Sequence, residues 1–324
     1  MTSRYRNSIL ASILIALPLS YVAGYQIIGE SRDYLNYLSF FDLVRSAKNY
    51  SEISYRFEPG FTFIAYWLAH IGFGNEWIYG FFAGTCIYIK YSALPVFHEN
   101  LISFLVFTFL FLCRYFILFE MTVLRAAVAF SIVFAVFLKK ENEQSTIKEV
   151  FFLVLAALFH YSAIVFFPIY FIGKLTRKKI IVLSIFSFFL ILFSEKLALT
   201  ILPNIFPVFK TYGAIKSEAT LLPAPMILDI ALIVFGLVFW SENDLPMRYS
   251  IFGMTLSIVF HFAVLDFSVI SGRIYEILSV FVLIYLVRAA MQKNALLMTL
   301  AVLFSIFDGA VNLYAVTIHE PLLS

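Results

Sequence analysis

Long runs of apolar residues, separated by short segments that carry the charges, recur along this 324-residue chain. Residues 9–28 form the first run, which reaches the length of roughly 20 residues that a helix needs to cross a bilayer. With 62% hydrophobic residues and a mean hydropathy of +0.93, the chain cannot enclose its apolar surface within one water-soluble domain. The sequence therefore predicts a protein whose solvent is the lipid bilayer.

The spanning elements are predicted to be helices. Unpaired backbone groups are not tolerated in lipid, and the apolar runs lack the strict alternation of barrel strands. We expect an all-α, polytopic transmembrane helical bundle with about 11 spans and short re-entrant elements. It forms a single integral membrane domain over residues 1–324, with two larger outward-facing polar loops at 29–60 and 194–225.

Positive charges set the predicted orientation. Arg4 and Arg6 precede the first run, which favours a cytoplasmic N-terminus and an uncleaved first helix over a cleaved signal peptide. The basic segment 139–148 should also be cytoplasmic, yet four full crossings between residues 60 and 139 would put it outside. The short run 61–73 is therefore interpreted as a re-entrant or interfacial element, which places Arg125 at the outer face.

The apolar stretch 150–171 carries His160, Tyr161 and Ser162 at its middle and has basic segments on both flanks. If both flanks are cytoplasmic, two short helices climb and return, and His160 lies at an outward-facing hairpin tip. The alternative is one continuous helix, with His160 hydrogen-bonded inside the bundle and a kink at Pro168.

This topology collects possible catalytic and phosphate-binding side chains near one membrane face, namely Arg32, Asp33, Glu58, Arg125, His160 and Arg273. Histidine exchanges a proton near neutral pH, and arginine binds phosphate oxygens in a fixed, permanently charged geometry. Each residue also has a structural interpretation, because arginines commonly anchor helix ends at a membrane boundary and Asp33 could pair with Arg32.

Several function classes lack support. The net charge of +3 is small and forms no basic face, so nucleic acid is not an expected partner. No phosphate-binding loop, His-Glu-x-x-His zinc motif or Gly-x-Ser-x-Gly elbow occurs. Any chemistry is expected to need no metal and no cofactor, and to use an activated donor carried by the membrane.

Five short motifs, taken in order, resemble the EpsG-like branch of the Wzy-type O-antigen and exopolysaccharide polymerases. They are Asp33-Tyr34-x-x-Tyr37, Glu58-Pro-Gly-Phe61, Leu124-Arg125-x-x-x-Ala129, Leu158-Phe159-His160-x-Ser162-Ala163 and Arg273-Ile-x-x-Ile277. The match around Arg273 is the loosest.

The resemblance implies a glycosyltransferase of the bacterial inner membrane, with its active site facing the periplasm. It would join repeat units linked to undecaprenyl diphosphate. His160 would be the general base, with Glu58 or Asp33 orienting it or binding sugar. Arg125 and Arg273 would stabilise the departing diphosphate, and Arg32, Tyr34 and Tyr37 would contribute to substrate binding. Expected partners are the lipid-linked oligosaccharide, membrane lipid, a chain-length regulator and a repeat-unit flippase.

Three other functions remain open from the sequence. An O-antigen ligase would share the donor and transfer finished glycan to another acceptor. A lipid-linked oligosaccharide flippase would perform no chemistry and would place charged groups along a central transmembrane cavity. A scaffold for the assembly machinery would need none of the candidate arginines for chain growth.

Overall fold

The computed structural model describes residues 3–53, 57–94, 100–140, 146–171, 176–186, 189, 223–263, 268–319 and 322–323. Within these ranges the regular structure is helical, and extended pairing is limited to one antiparallel bridge between Ser31 and Leu323. The predicted all-α class is confirmed.

The helices follow one another closely along the chain. The first half contains α1 (Ser3–Gly24), α2 (Tyr34–Ser46), α3 (Pro59–His70), α4 (Asn75–Ala93), α5 (Leu101–Leu110), a π-helix (Phe111–Thr122), α6 (Leu124–Leu138) and α7 (Ile147–Phe159). The second half contains a 3-10 turn (Tyr161–Val165), α8 (Phe166–Phe171), α9 (177–186), α10 (Ala224–Val238), α11 (Leu245–Ala263), α12 (Ser268–Leu278), α13 (Val280–Ala290), α14 (Ala295–Tyr314) and a final π-turn (Ala315–His319).

Two helical stretches in the described ranges are long and apolar enough to cross a membrane, Leu101–Thr122 and Ala295–Ile318. Other apolar helices are shorter, for example Leu124–Leu138 and Ala224–Val238. At 1.5 Å per residue these do not reach the ~30 Å of a bilayer core. The predicted number of about 11 spans is therefore not confirmed.

The centre of the bundle is formed by α6 and α13. Nearly every residue of both helices is buried, including Phe130, Phe134, Phe137, Phe281 and Tyr285. Because α6 is surrounded by α4, α7 and α13, its N-terminus is held in a fixed position relative to these neighbours.

The predicted outward loop 29–60 contains a helix, α2, and its outward placement stays a prediction. Tyr34, Tyr37, Phe41 and Val44 recur at intervals of three or four residues, and all are buried. This spacing forms the apolar face of an amphipathic helix. Of the second predicted loop, 194–225, residues 194–222 lie outside the described ranges, and α10 begins at Ala224.

The stretch around His160 is a hairpin, so the continuous-helix alternative is wrong. Helix α7 ends at Phe159, and His160 itself is extended with φ −157° and ψ 115°. After the 3-10 turn, α8 brings Tyr170 back to the start of α7, where its hydroxyl accepts a hydrogen bond from the Thr146 N–H at 3.2 Å and donates one to Glu149. The chain therefore reverses direction at His160.

Besides the candidate residues predicted near one membrane face, other charged residues lie inside the bundle. Lys90 of α4 pairs with Glu120 of the π-helix, and neither side chain is exposed. In the sequence, Asp308 follows the apolar run 295–307, which predicts a last span ending at residue 307 and an outside tail that could contain a further partial element. Helix α14 instead continues through Asp308, which is fully buried.

Candidate active site at the hairpin tip

Glu58 reaches the hairpin tip because α3 begins there. It is the residue immediately before α3, and Pro59 occupies the first helical position, where a missing N–H costs nothing. Gly60 then lies against the end of α7, so closely that a Cβ on it would be 2.9 Å from the Leu158 carbonyl oxygen. This close approach between α3 and α7 brings Glu58 beside His160.

The carboxylate of Glu58 binds two partners at once. Its Oε2 accepts a hydrogen bond from Arg125 Nη1, and its Oε1 lies 2.9 Å from His160 Nδ1. The Glu58 side chain is only 6% exposed, whereas Arg125 and His160 are 22% and 19% exposed. The carboxylate is therefore covered, while its two partners remain accessible.

Arg125 is fixed on three sides. As the second residue of α6, it donates its backbone N–H to the Tyr37 hydroxyl at 3.3 Å. Its guanidinium lies 4.1 Å from the centre of the Phe57 ring, a favourable cation–π distance. Its buried Nε has no hydrogen-bond partner among the described residues. Arg125 thus keeps donor capacity beyond its bond to Glu58.

His160 is held by both ring nitrogens. Since an ionised carboxylate can only accept, His160 Nδ1–H must donate to Glu58, and in the neutral ring the lone pair then lies on Nε2. The Ser162 hydroxyl lies 3.2 Å from this Nε2 and donates to it. The resulting order, hydroxyl to imidazole to carboxylate, is the arrangement that polarises a hydroxyl or prepares an imidazole to accept a proton.

Glu58 stays ionised over the whole neutral range. Burial alone would raise the pKa of this carboxyl, but the hydrogen bond from His160 and the charge of Arg125 outweigh burial and lower the pKa to about 2. The fixed negative charge in turn stabilises the imidazolium that forms when His160 accepts a proton.

The other predicted site residues do not join this cluster. Tyr34 donates its hydroxyl to the Gly24 carbonyl oxygen at 2.7 Å, which is a packing role between α2 and α1. Arg32 is exposed, and Asp33 is the partly buried residue that precedes α2. Arg273 is about half exposed and pairs with Glu276 at 3.5 Å. Its helix, α12, contacts the 3-10 turn after His160.

Sequence reasoning missed two contributors. The contact of Phe57 with the Arg125 guanidinium had no signal in the sequence. Ser162 stands within a recognised motif, but its contact with Nε2 depends on the extended backbone of His160. Over the part of the chain that the structure describes, no group of three or more His, Cys, Asp or Glu residues could hold a metal ion.

The model of the EpsG family matches residues 9–321, nearly the whole chain. No curated protein and no solved structure shows significant similarity. A match of this extent covers all the elements that build the hairpin-tip cluster, and the chain therefore belongs to the EpsG family.

Proposed function

We propose that this protein is a glycan polymerase that joins repeat units linked to undecaprenyl diphosphate, on the periplasmic face of the bacterial inner membrane. Membership of the EpsG family supports a polysaccharide polymerase. The observation that carries the proposal is that Glu58 binds both Arg125 and His160, from three different helical segments. A base and a phosphate-binding cation thereby share one accessible site.

In the proposed reaction His160 is the general base. The acceptor's terminal sugar hydroxyl gives its proton to Nε2, either after displacing the Ser162 hydroxyl or through it. The acceptor oxygen then bonds to the anomeric carbon of the donor's first sugar. The bond from that carbon to the diphosphate oxygen breaks, and the electron pair leaves with undecaprenyl diphosphate.

The charge of the cluster changes in the direction this reaction needs. In the resting site Glu58 balances Arg125, and the general-base role requires His160 in its neutral form. When His160 takes the acceptor's proton, the site becomes net positive as the leaving diphosphate becomes more negative. Stabilisation that appears only as charge develops lowers the barrier without tightening ground-state binding.

The remaining predicted residues have secondary roles. Arg273, on a helix that touches the hairpin tip, is proposed to contact the diphosphate. Asp33 and Arg32 are proposed to contact sugar, and Tyr37 to position Arg125 through its backbone. Chain-length control and repeat-unit supply are assigned to partner proteins.

The test is a reaction with purified protein in lipid vesicles, supplied with lipid-linked repeat units alone. A polymerase produces lipid-linked chains of two or more repeats and releases undecaprenyl diphosphate in equal amount to the new linkages. A ligase needs another acceptor and gives no chain growth. Failure of the active, folded protein to form any linkage would contradict the proposal.

A transporter is the second candidate, because charged residues do lie inside the bundle, such as the Lys90–Glu120 pair. The two described cavities, of about 550 and 440 Å³, are lined by other residues. Movement of lipid-linked repeat units across the vesicle membrane, with no new glycosidic bond, would favour this candidate.

A further inference from the structure

A second group of ionisable residues includes one from each of the two helical stretches that are long enough to cross a membrane. Arg114 is about two thirds along Leu101–Thr122, and Asp308 is near the middle of Ala295–Ile318. Asp229 of α10 and Tyr275 of α12 complete the group. All four are buried, with exposed fractions of 3%, 0%, 2% and 7% respectively. Ionisable side chains at such positions are costly and are usually functional.

The contacts within this group leave charged atoms without hydrogen bonds. Asp229 Oδ2 accepts the Tyr275 hydroxyl at 2.5 Å, and Asp308 Oδ1 accepts the Asn312 amide at 2.8 Å. Arg114 Nη1 is 3.9 Å from Asp308 Oδ1, beyond hydrogen-bond distance. Asp229 Oδ1, Asp308 Oδ2, and Nε and Nη1 of Arg114 have no partner among the described residues.

The charges of the group do not balance. Two carboxylates and one guanidinium give a net charge of −1 when all are ionised. An uncompensated charge inside a bundle is penalised by several kcal/mol, and two carboxylates near one cation lower this penalty by retaining one proton. Asp229 lies within electrostatic range of both Asp308 and Arg114, so one proton on either carboxyl neutralises the group.

Among the described residues, Arg114 is the cation within electrostatic range of both Asp229 and Asp308. Facing the group are Cys113 and Tyr115 from the π-helix. His261 of α11 lies behind Tyr275, with ring centres 6.1 Å apart, and its Nδ1 is 2.7 Å from the Ser271 hydroxyl. Arg288 of α13 is engaged by Asp244. Arg114 is thus the cation that faces both carboxylates.

We propose that Asp229 and Asp308 share one exchangeable proton, which makes the Arg114 group an intramembrane proton-binding site. It is separate from the hairpin-tip cluster and does not depend on the proposed polymerase function. Loss of the proton leaves a net negative charge between α10, α14 and the π-helix. Packing of these elements is therefore weakened as pH rises through the range in which the proton dissociates.

The test is the infrared spectrum of the whole protein in lipid as a function of pH. A protonated carboxylic acid absorbs at a higher frequency than a carboxylate. We expect one such band that disappears on alkaline titration and shifts when aspartate is labelled with carbon-13 in the unaltered chain. No variant is needed for this step. A band that does not shift with the label, or no band at any pH, would overturn the proposal.

Variants locate the proton. In Asp229→Asn and in Asp308→Asn, the one remaining carboxylate balances the charge of Arg114 without a bound proton. Either variant should therefore remove the band and abolish the alkaline loss of thermal stability. The double variant leaves Arg114 uncompensated and should unfold at a lower temperature than either single variant. Glu52→Gln, at an exposed carboxylate in the segment after α2, is the matched control and should retain the band. Persistence of the band in both single Asn variants would refute the assignment.

Discussion

Glu58 Oε1 accepts a hydrogen bond from His160 Nδ1 at 2.9 Å, across 102 residues of sequence. In the neutral imidazole this bond fixes the tautomer, so that Nε2, and not Nδ1, carries the lone pair. The same carboxylate binds Arg125, so one buried acid orients both the proposed base and the proposed phosphate-binding group. Removing Glu58 should therefore disturb two functions together.

The Glu58 contacts should make stability depend on pH in acid. The pKa of Glu58 is about 2 in the folded protein and 4.5 ordinarily, so the stabilisation is complete above about pH 4.5 and is lost as pH falls towards 2. A shift of this size corresponds to roughly 3 kcal/mol. The difference in unfolding free energy between the unaltered protein and Glu58→Gln should shrink over this range. A difference that is independent of pH would contradict the structure.

Gly60 should not tolerate a side chain. In Gly60→Ala the new Cβ would meet the backbone oxygen of Leu158 at 2.9 Å, so α3 and α7 must separate and carry Glu58 away from His160. We expect elongation to fall by about tenfold or more, since a loss of ~1.4 kcal/mol already gives that factor. Gly74→Ala is the matched control, because its Cβ would meet only ordinary contacts at 3.5 Å or more. Equal elongation activity of Gly60→Ala and Gly74→Ala would contradict the role of the close contact between α3 and α7 in placing Glu58.

Ser162 should matter through its hydroxyl. Ser162→Ala removes the hydrogen bond to His160 Nε2, worth about 1 kcal/mol, and should reduce kcat about fivefold with little change in KM. Ser162→Thr keeps a hydroxyl and should restore most of the rate. If Ser162→Ala instead raises KM alone, the hydroxyl contacts substrate and does not position the base.

Breaking the buried Lys90–Glu120 ion pair should destabilise the fold, whereas replacing both residues by apolar ones should not. Lys90→Met alone leaves Glu120 charged and buried, which typically costs about 3–5 kcal/mol of unfolding free energy. Joint replacement of both residues by methionine and leucine should restore stability to near the original value. Thermal unfolding in detergent measures the difference. A double variant that stays as destabilised as Lys90→Met would instead show that the ion pair itself stabilises the fold.

The orientation of the hairpin can be measured at Tyr161, which is 59% exposed beside the site. In a chain whose Cys86 and Cys113 are replaced by alanine, a cysteine introduced by Tyr161→Cys should react with a membrane-impermeant reagent added from the periplasmic side. Labelling from the cytoplasmic side only would contradict the proposed topology.

The sequence was informative where local pattern or charge decides the structure. Basic flanks predicted the chain reversal at His160, and short motifs selected Glu58, Arg125 and His160. The helix within 29–60 was missed, because polar residues on one helix face obscured the buried spacing of Tyr34, Tyr37 and Phe41. Periodicity within that segment could have revealed α2.

Other features depend on contacts between distant helices. Asp229 and Asp308 stand in separate helices, and only packing brings both towards Arg114. Asp308 followed an apolar run and was therefore interpreted as the beginning of a tail. Tyr34 was predicted to bind substrate, but its hydroxyl donates instead to a backbone carbonyl oxygen of α1, a contact between helices that the sequence does not reveal.

The most direct test is the elongation rate of His160→Ala, reconstituted with lipid-linked repeat units, beside His70→Ala. His70 is a second histidine, exposed at the end of α3, whose ring nitrogens contact only the carbonyl oxygens of Tyr66 and Ala47. Loss of a general base predicts a fall of about 10²–10⁴-fold for His160→Ala, and near-normal elongation for His70→Ala. Elongation by folded His160→Ala at the normal rate would contradict a catalytic role for the hairpin tip.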